Sequence, residues 1–247
     1  MGKKFFVRAR GGAGAARSRL TWDPESATPW VSDMNTPAIV RNRFNTNAWN
    51  RTRYSLLAPG YDWFVRFARS RRRRSLALLN LQPGARVLII GAGTGLDLEF
   101  IPRQVNITAI DLTPAMVSRL KARAAHLKLK VDARVMDGQS LEFPKGSFDA
   151  IVLHLIVAVI PDPVRCVREA ARVLRTGGRA VILDKFAPEG RKPPWTLRLL
   201  NPVLGFLASE VTRQLRPILA PSAFRVVHEE PAGLGGFFKI VLMEKAG

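Results

Sequence analysis

The chain has 247 residues, 47% hydrophobic and 23% charged, an ordinary globular balance that suffices for one full α/β domain with a buried core. Its 39 Lys and Arg stand against 19 Asp and Glu, a formal net charge of +20 that favours an anionic partner, either nucleic acid or an anionic membrane surface. A single cysteine (Cys166) excludes an intramolecular disulfide and a cysteine zinc cluster, the scattered His126, His154 and His228 give no metal-ligand spacing, and no stretch reaches the roughly 18 apolar residues of a membrane span.

Residues 1–40 are interrupted by Gly11, Gly12, Gly14, Pro24, Pro29 and Pro37 and are rich in Arg and Ser, which predicts a flexible basic tail. Lys3 and Lys4 are followed by no apolar segment, so no secretory signal is expected. The expected location is cytoplasmic, with peripheral attachment to a membrane. Residues 41–80 read as an N-terminal helical lid, with Tyr61, Phe64, Val65, Ala68, Leu76, Leu78 and Leu79 as its apolar positions and four arginines at 71–74 within it. Gln82, Pro83 and Gly84 end it.

Strands and helices then alternate. Strands are expected at 86–90, 106–110, 132–136, 149–153 and 180–183. Thr113 and Pro114 open a helix that carries Met116, Val117, Leu120, Ala124 and Leu127 at helical spacing. Val164, Val167, Ala171 and Leu174 mark another, which Gly177 and Gly178 are expected to close. Residues 190–220 form a helical insertion, and 224–228 and 237–243 two final strands that pair as an antiparallel hairpin at the sheet edge. The expected fold is α/β: a doubly wound, Rossmann-like sheet of seven strands, mostly parallel with an antiparallel edge strand and helices on both faces.

Ligands of such sheets bind beyond the carboxyl ends of the strands. After the first strand come Gly91, Ala92, Gly93, Thr94 and Gly95, a turn whose backbone can approach a ligand closely. Asp111 ends the second strand, where a carboxylate accepts both ribose hydroxyls of a nucleoside, and Leu112 follows it. Asp137 ends the third, where it can accept from an adenine amino group while Gly138 donates its amide to the ring. Each feature alone has a bland alternative: a tight turn, a helix-entry carboxylate, an Asp-Gly turn. Together they point to an adenosine-containing cofactor.

The run 87–95 (Val-Leu-Ile-Ile-Gly-Ala-Gly-Thr-Gly) resembles the first motif of class I S-adenosylmethionine-dependent methyltransferases. Residues 109–111 resemble their second motif, 136–138 their third, 148–153 their fourth strand and 173–178 the turn before the fifth. The resemblance covers the chain from about Tyr54 onward and implies S-adenosyl-L-methionine as cofactor and a methyltransferase domain over 41–247. A nicotinamide-binding Rossmann enzyme fits less well, because its third glycine falls on Leu96. One position departs from the family. Members usually carry Glu or Asp where this chain has Ile89, to help hold the methionine end of the cofactor. Asp97 is the candidate replacement and Glu99 a weaker one.

The segments 50–54 and 58–62 are similar to the entry of the ubiquinone/menaquinone-biosynthesis methyltransferases and of bacterial phosphatidylethanolamine N-methyltransferases. Residues 159–163 and 231–239 lean toward the phospholipid group. The implied reaction is N-methylation of a phospholipid amine or another lipophilic acceptor, with an anionic membrane surface as partner. Docking is expected through the arginines at 71–74 and through Trp195, Leu199, Val203, Phe206 and Leu207 beside Arg191, Lys192 and Arg198. Tyr54 and Tyr61 are candidate catalytic aromatics, since their rings stabilise a sulfonium or a methylated ammonium. His154, directly after the fourth strand, is the candidate to accept the amine proton or line the cofactor. No metal is expected. A quinone or other small-molecule C- or O-methyltransferase is the alternative. A nucleic-acid methyltransferase and a non-catalytic cofactor-binding protein stand further off, because the segment after the fourth strand reads His154-Leu155-Ile156-Val157 rather than Asn/Asp-Pro-Pro-aromatic.

Overall fold

The computed structural model describes residues 46, 69–187, 213–233 and 236–247. The expected tail at 1–40, the lid before Arg69, Tyr54, Tyr61 and the apolar-basic segment at 191–207 lie outside the described residues.

In β1 (Arg86–Ile90) every residue after the first is buried, as a strand covered on both faces requires. It pairs in parallel with β2 (Asn106–Asp111) on one side and β4 (Phe148–His154) on the other. Beyond β2 lies parallel β3 (Val131–Val135), and beyond β4 lies parallel β5 (Leu174–Lys185). An antiparallel hairpin completes the sheet: β7 (Phe238–Lys245) pairs with β5, and β6 (Phe224–Gly233) forms the edge beyond it. The seven strands run in the order β3-β2-β1-β4-β5-β7-β6, so the winding reverses between β1 and β4. The antiparallel strand is β7, one place in from the edge.

Strand period sorts the core into two layers. Leu88, Ile90, Ile151, Leu153 and Ile182 face α3 (Pro163–Val173) and α4 (Leu215–Leu219), whose Cys166, Val167, Val173, Leu215 and Ile218 complete one cluster. Val87, Ile89, Val152, Val181 and Leu183 face the opposite side with Leu76 of α1 (Arg69–Leu78) and Leu120 and Ala124 of α2 (Pro114–His126). Asn80 and Lys128, at φ 48° and 54°, turn the chain out of α1 and α2.

One boundary and one cap differ from expectation, while α2 opens at Thr113 and Pro114 as expected. Gly177 and Gly178 do not close α3. The fully buried Leu174 takes the chain directly from helix to strand, and the glycines fall in a bulge where the β4–β5 register jumps. Thr113 makes no side-chain cap on α2; its amide instead donates to Asp111.

Ile151 is fully buried in the central strand β4. Ile151→Ala should lower unfolding free energy by about 2–5 kcal/mol and Ile151→Val by only about 0.5–1.5 kcal/mol, read from urea denaturation midpoints.

Candidate active site

The chain leaves β1 through Gly91 at φ 69°, a left-handed conformation suited to glycine. A Cβ there would lie 2.7 Å from the Ile156 side chain, so the turn also needs glycine for space. Asp111 pins this turn from β2. One carboxylate oxygen accepts the Gly93 amide at 2.9 Å and the other the Thr113 amide at 2.9 Å. Burial pushes its carboxyl above the usual range, and the amides from Thr113 and Gly93 oppose that shift. Asp137 accepts from the Gln139 amide at 2.9 Å and from its side-chain nitrogen, and Gln139 in turn accepts the Asp162 amide at 2.8 Å. A Cβ on Gly138 would meet Ile90 at 2.8 Å, so this position packs directly on the end of β1.

These residues surround an open cleft at the carboxyl ends of β1, β2 and β3. Gly91, Gly93, Asp111, Leu112, Asp137 and Gly138 belong to its lining. Leu155, Ile156, Val159 and Ile160 add an aliphatic wall, with Ile156 packed against Gly91. Leu155 holds φ 58°, a conformation unusual for a branched aliphatic residue, and its amide is fixed to the Leu183 carbonyl at 2.8 Å. This wall was not anticipated: it reads in sequence as the end of a buried apolar run. The lining pairs two carboxylates and a glycine turn with an apolar slot, a donor set that fits an adenosine-containing cofactor.

Four of the expected cofactor residues lie behind this lining. Ala92 is a core side chain whose amide bonds the Ile110 carbonyl, and Gly95 leads into the 3₁₀ turn Leu96–Phe100. Asp97 in that turn is buried, and its Oδ1 accepts Arg72 Nη1 and His154 Nδ1, both at 2.7 Å. A carboxylate only accepts, so His154 Nδ1 carries a hydrogen. The other ring nitrogen, Nε2, meets the Ser75 hydroxyl at 2.9 Å. His154 is therefore buried with both nitrogens engaged, and no open nitrogen faces the cleft to take a proton from an amine. Burial opposes ionisation of Asp97, but Arg72 and His154 outweigh it and hold the carboxyl well below the usual range. Glu99 is not part of the cleft lining and is clasped by Arg69 at 3.1 Å and Arg123 at 3.0 Å. Cys166 is the inert thiol expected: burial, with Asp137, Asp162 and Glu169 nearby, pushes it up to about 12.

The arginines at 71–74 do not form a free cationic patch. Arg71 Nε donates to the Ala232 carbonyl. Arg72 is buried on Asp97, and Arg74 clasps Glu230 through two bonds of 2.9 and 3.0 Å. Arg73 and Arg74 are the exposed members, and Arg74 is the one of the two that clasps Glu230. Among the described residues, no helix is long and apolar enough to cross a membrane and no group of His, Cys, Asp or Glu could hold a metal ion.

A doubly wound sheet with this strand order and a nucleoside cleft at its switch point defines the class I methyltransferase architecture. Comparison with known proteins agrees. A methyltransferase-domain family model matches residues 88–182. The chain is 32% identical over 188 residues to a phosphatidylethanolamine N-methyltransferase of Cereibacter sphaeroides, covering 75% of this chain and 92% of that one. It is 31% identical over 149 residues to a ubiquinone/menaquinone biosynthesis C-methyltransferase of a Geobacter species, covering 56% of this chain and 63% of that one. Geranyl diphosphate C-methyltransferase of Streptomyces coelicolor, solved with S-adenosyl-L-homocysteine, superposes with a TM-score of 0.59 at 16% identity over 72% of this chain and 79% of its own. The chain belongs to the S-adenosylmethionine-dependent methyltransferase family, and S-adenosylmethionine is its cofactor.

The two acids of the 3₁₀ turn should behave differently. Asp97→Asn leaves the buried Arg72 charge unpaired and should cost about 3–5 kcal/mol of stability, whereas the more exposed Glu99→Gln should cost less than about 1 kcal/mol. The Asp97 contribution is present above the unfolded carboxyl value of about 4 and is lost as pH falls through the depressed folded value. Denaturant titrations of both variants at neutral and acid pH measure the contrast.

Proposed function

We propose that this methyltransferase N-methylates the amine of a phosphatidylethanolamine-type phospholipid at a membrane surface. The carrying observation is the 32% identity that runs through 92% of a relative bearing that name. The aliphatic wall formed by Leu155, Ile156, Val159 and Ile160 supports it, since a lipophilic acceptor needs an apolar approach. So does the net charge of +20.

The bound cofactor supplies an electrophilic methyl group on a sulfonium. In this reading Asp111 accepts the ribose hydroxyls, Asp137 accepts from the adenine amino group, and the Gly91 and Gly93 backbone approaches the cofactor closely. Alignment of acceptor and methyl carbon provides much of the rate. Tyr54 and Tyr61 are proposed to face the cationic centre. His154 holds its place through Asp97 and Ser75 and contributes by position. Docking rests on Arg73 and on the basic and apolar residues at 191–207 rather than on the whole arginine run.

A quinone-type C- or O-methylation is the second reading, favoured by the Geobacter relative. Methyl-labelled cofactor separates the two. Label should enter phosphatidylethanolamine in vesicles containing anionic lipid, and transfer should weaken with salt as the Debye length falls from about 10 Å at 0.1 M to about 3 Å at 1 M. Label that enters only a soluble quinone precursor would overturn the phospholipid assignment. Asp111→Ala should weaken cofactor binding by about 1.5–3 kcal/mol in calorimetry. Because burial raises the Asp111 carboxyl, wild-type affinity should decline on acidification at a higher pH than an ordinary carboxylate would give.

A further inference from the structure

The cofactor carries an ammonium and a carboxylate at its amino-acid end, and the cleft lining offers only half of what that end needs. Its ionisable residues are Asp111 and Asp137, both acids. The last residues of β1, Ile89 and Ile90, are apolar and buried. Among the described residues, any cation for that carboxylate lies outside this lining.

Three basic side chains are buried among the described residues: Arg72, Arg213 and Lys245. Lys245 donates to the Leu174 carbonyl, at the opposite end of β5 from the cleft. Arg213 is held by the Val157 and Ile160 carbonyls, both at 2.6 Å. Arg72 bonds Asp97 through Nη1, and its Nε is the one buried side-chain polar atom without a hydrogen-bond partner among the described residues. A buried guanidinium N–H left unpaired costs free energy until an acceptor arrives. Its location fits such an acceptor. Asp97 stands two residues past the Gly91–Gly95 turn, and His154, on the same carboxylate oxygen, immediately precedes Leu155 of the cleft wall.

We infer that Arg72 is the carboxylate ligand of the cofactor, its Nε receiving the α-carboxylate while Asp97 beside it meets the α-ammonium. This deepens the S-adenosylmethionine reading and rests on it. A zwitterion opposite an Arg–Asp pair matches charge for charge. His154, itself bonded to the Ser75 hydroxyl, holds Asp97 and fixes the pair in place. The run of arginines in α1 thus contains one residue whose role is recognition of the cofactor.

The test compares two ligands by calorimetry: S-adenosylhomocysteine, which has the amino-acid end, and 5′-methylthioadenosine, which lacks it. Arg72→Gln removes the charge. Arg72→Lys keeps a cation for Asp97 but removes the Nε–H, and it guards against loss of the fold. Both variants should bind S-adenosylhomocysteine about 10-fold or more weakly, while 5′-methylthioadenosine affinity, which itself reports an intact cleft, changes less than about twofold. Arg73→Gln should change neither. An affinity ratio between the two ligands that stays at the wild-type value in both variants overturns the inference. Intact S-adenosylhomocysteine binding with lost transfer to phospholipid vesicles also overturns it and moves Arg72 to the acceptor's phosphate. Failure of the wild type to bind either ligand would instead overturn the cofactor assignment beneath it.

Discussion

Two amide hydrogens, from Gly93 and Thr113, converge on the carboxylate of Asp111. The first belongs to the turn after β1 and the second to the start of α2, while the Asp111 carbonyl accepts the Met136 amide at the end of β3. One residue thus sets three chain segments at the mouth of the sheet. The glycine turn cannot drift without breaking a charge-assisted bond. That fixed turn in turn packs against Ile156 and so positions the aliphatic wall of the cleft. Burial raises the cost of ionising this acid, and the two amides are the compensation the fold supplies.

Behind the turn, a second polar centre solves a different problem. Arg72, Asp97, His154 and Ser75 are all buried, and a charge in such a place requires a partner. The chain meets the requirement by drawing the groups from three separate elements. α1 supplies Arg72 and Ser75, the 3₁₀ turn supplies Asp97, and β4 supplies His154. The same helix reaches β6 through Arg71 and Arg74. α1 therefore joins the turn after β1 to the ends of β4 and β6, and a shift of this helix would be felt at the cleft. Specificity of docking is a better account of this buried pair than net stability, since a hydrophobic substitute of similar size would cost little.

The sheet and its ligand end were legible because their signals are local. Strand period, the glycine turn and the acids at 111 and 137 each occupy a few consecutive residues, and the structure sets all of them around one cleft. The arginine run was misread for the opposite reason. Arg72 meets Asp97 across 25 positions, Ser75 meets His154 across 79 and Arg74 meets Glu230 across 156. Composition cannot distinguish a solvated guanidinium from a paired one. His154 looked like an open base because it follows a strand, and only the neighbouring helix reveals that both of its nitrogens are engaged. Leu155 gave no signal at all, since a positive φ at a leucine is imposed by its surroundings and not by its own preference.

Pairing of the arginines also changes how the charge of the molecule must act. An ion pair removes a local patch but leaves net charge untouched, so the +20 excess persists however many carboxylates are clasped. Within about a Debye length of a polyanion the protein still acts as a strong cation, and attraction to an anionic bilayer, if that is its partner, would not depend on the run at 71–74. At contact the situation reverses. Orientation depends on which side chains are free to reach the headgroups, and Arg71, Arg72 and Arg74 are bound to Ala232, Asp97 and Glu230. Diffuse charge would then bring the enzyme to the surface without choosing its face. The choice must come from contacts that charge does not make, and apolar side chains entering the interface are the contribution that distinguishes a lipid surface from any other polyanion.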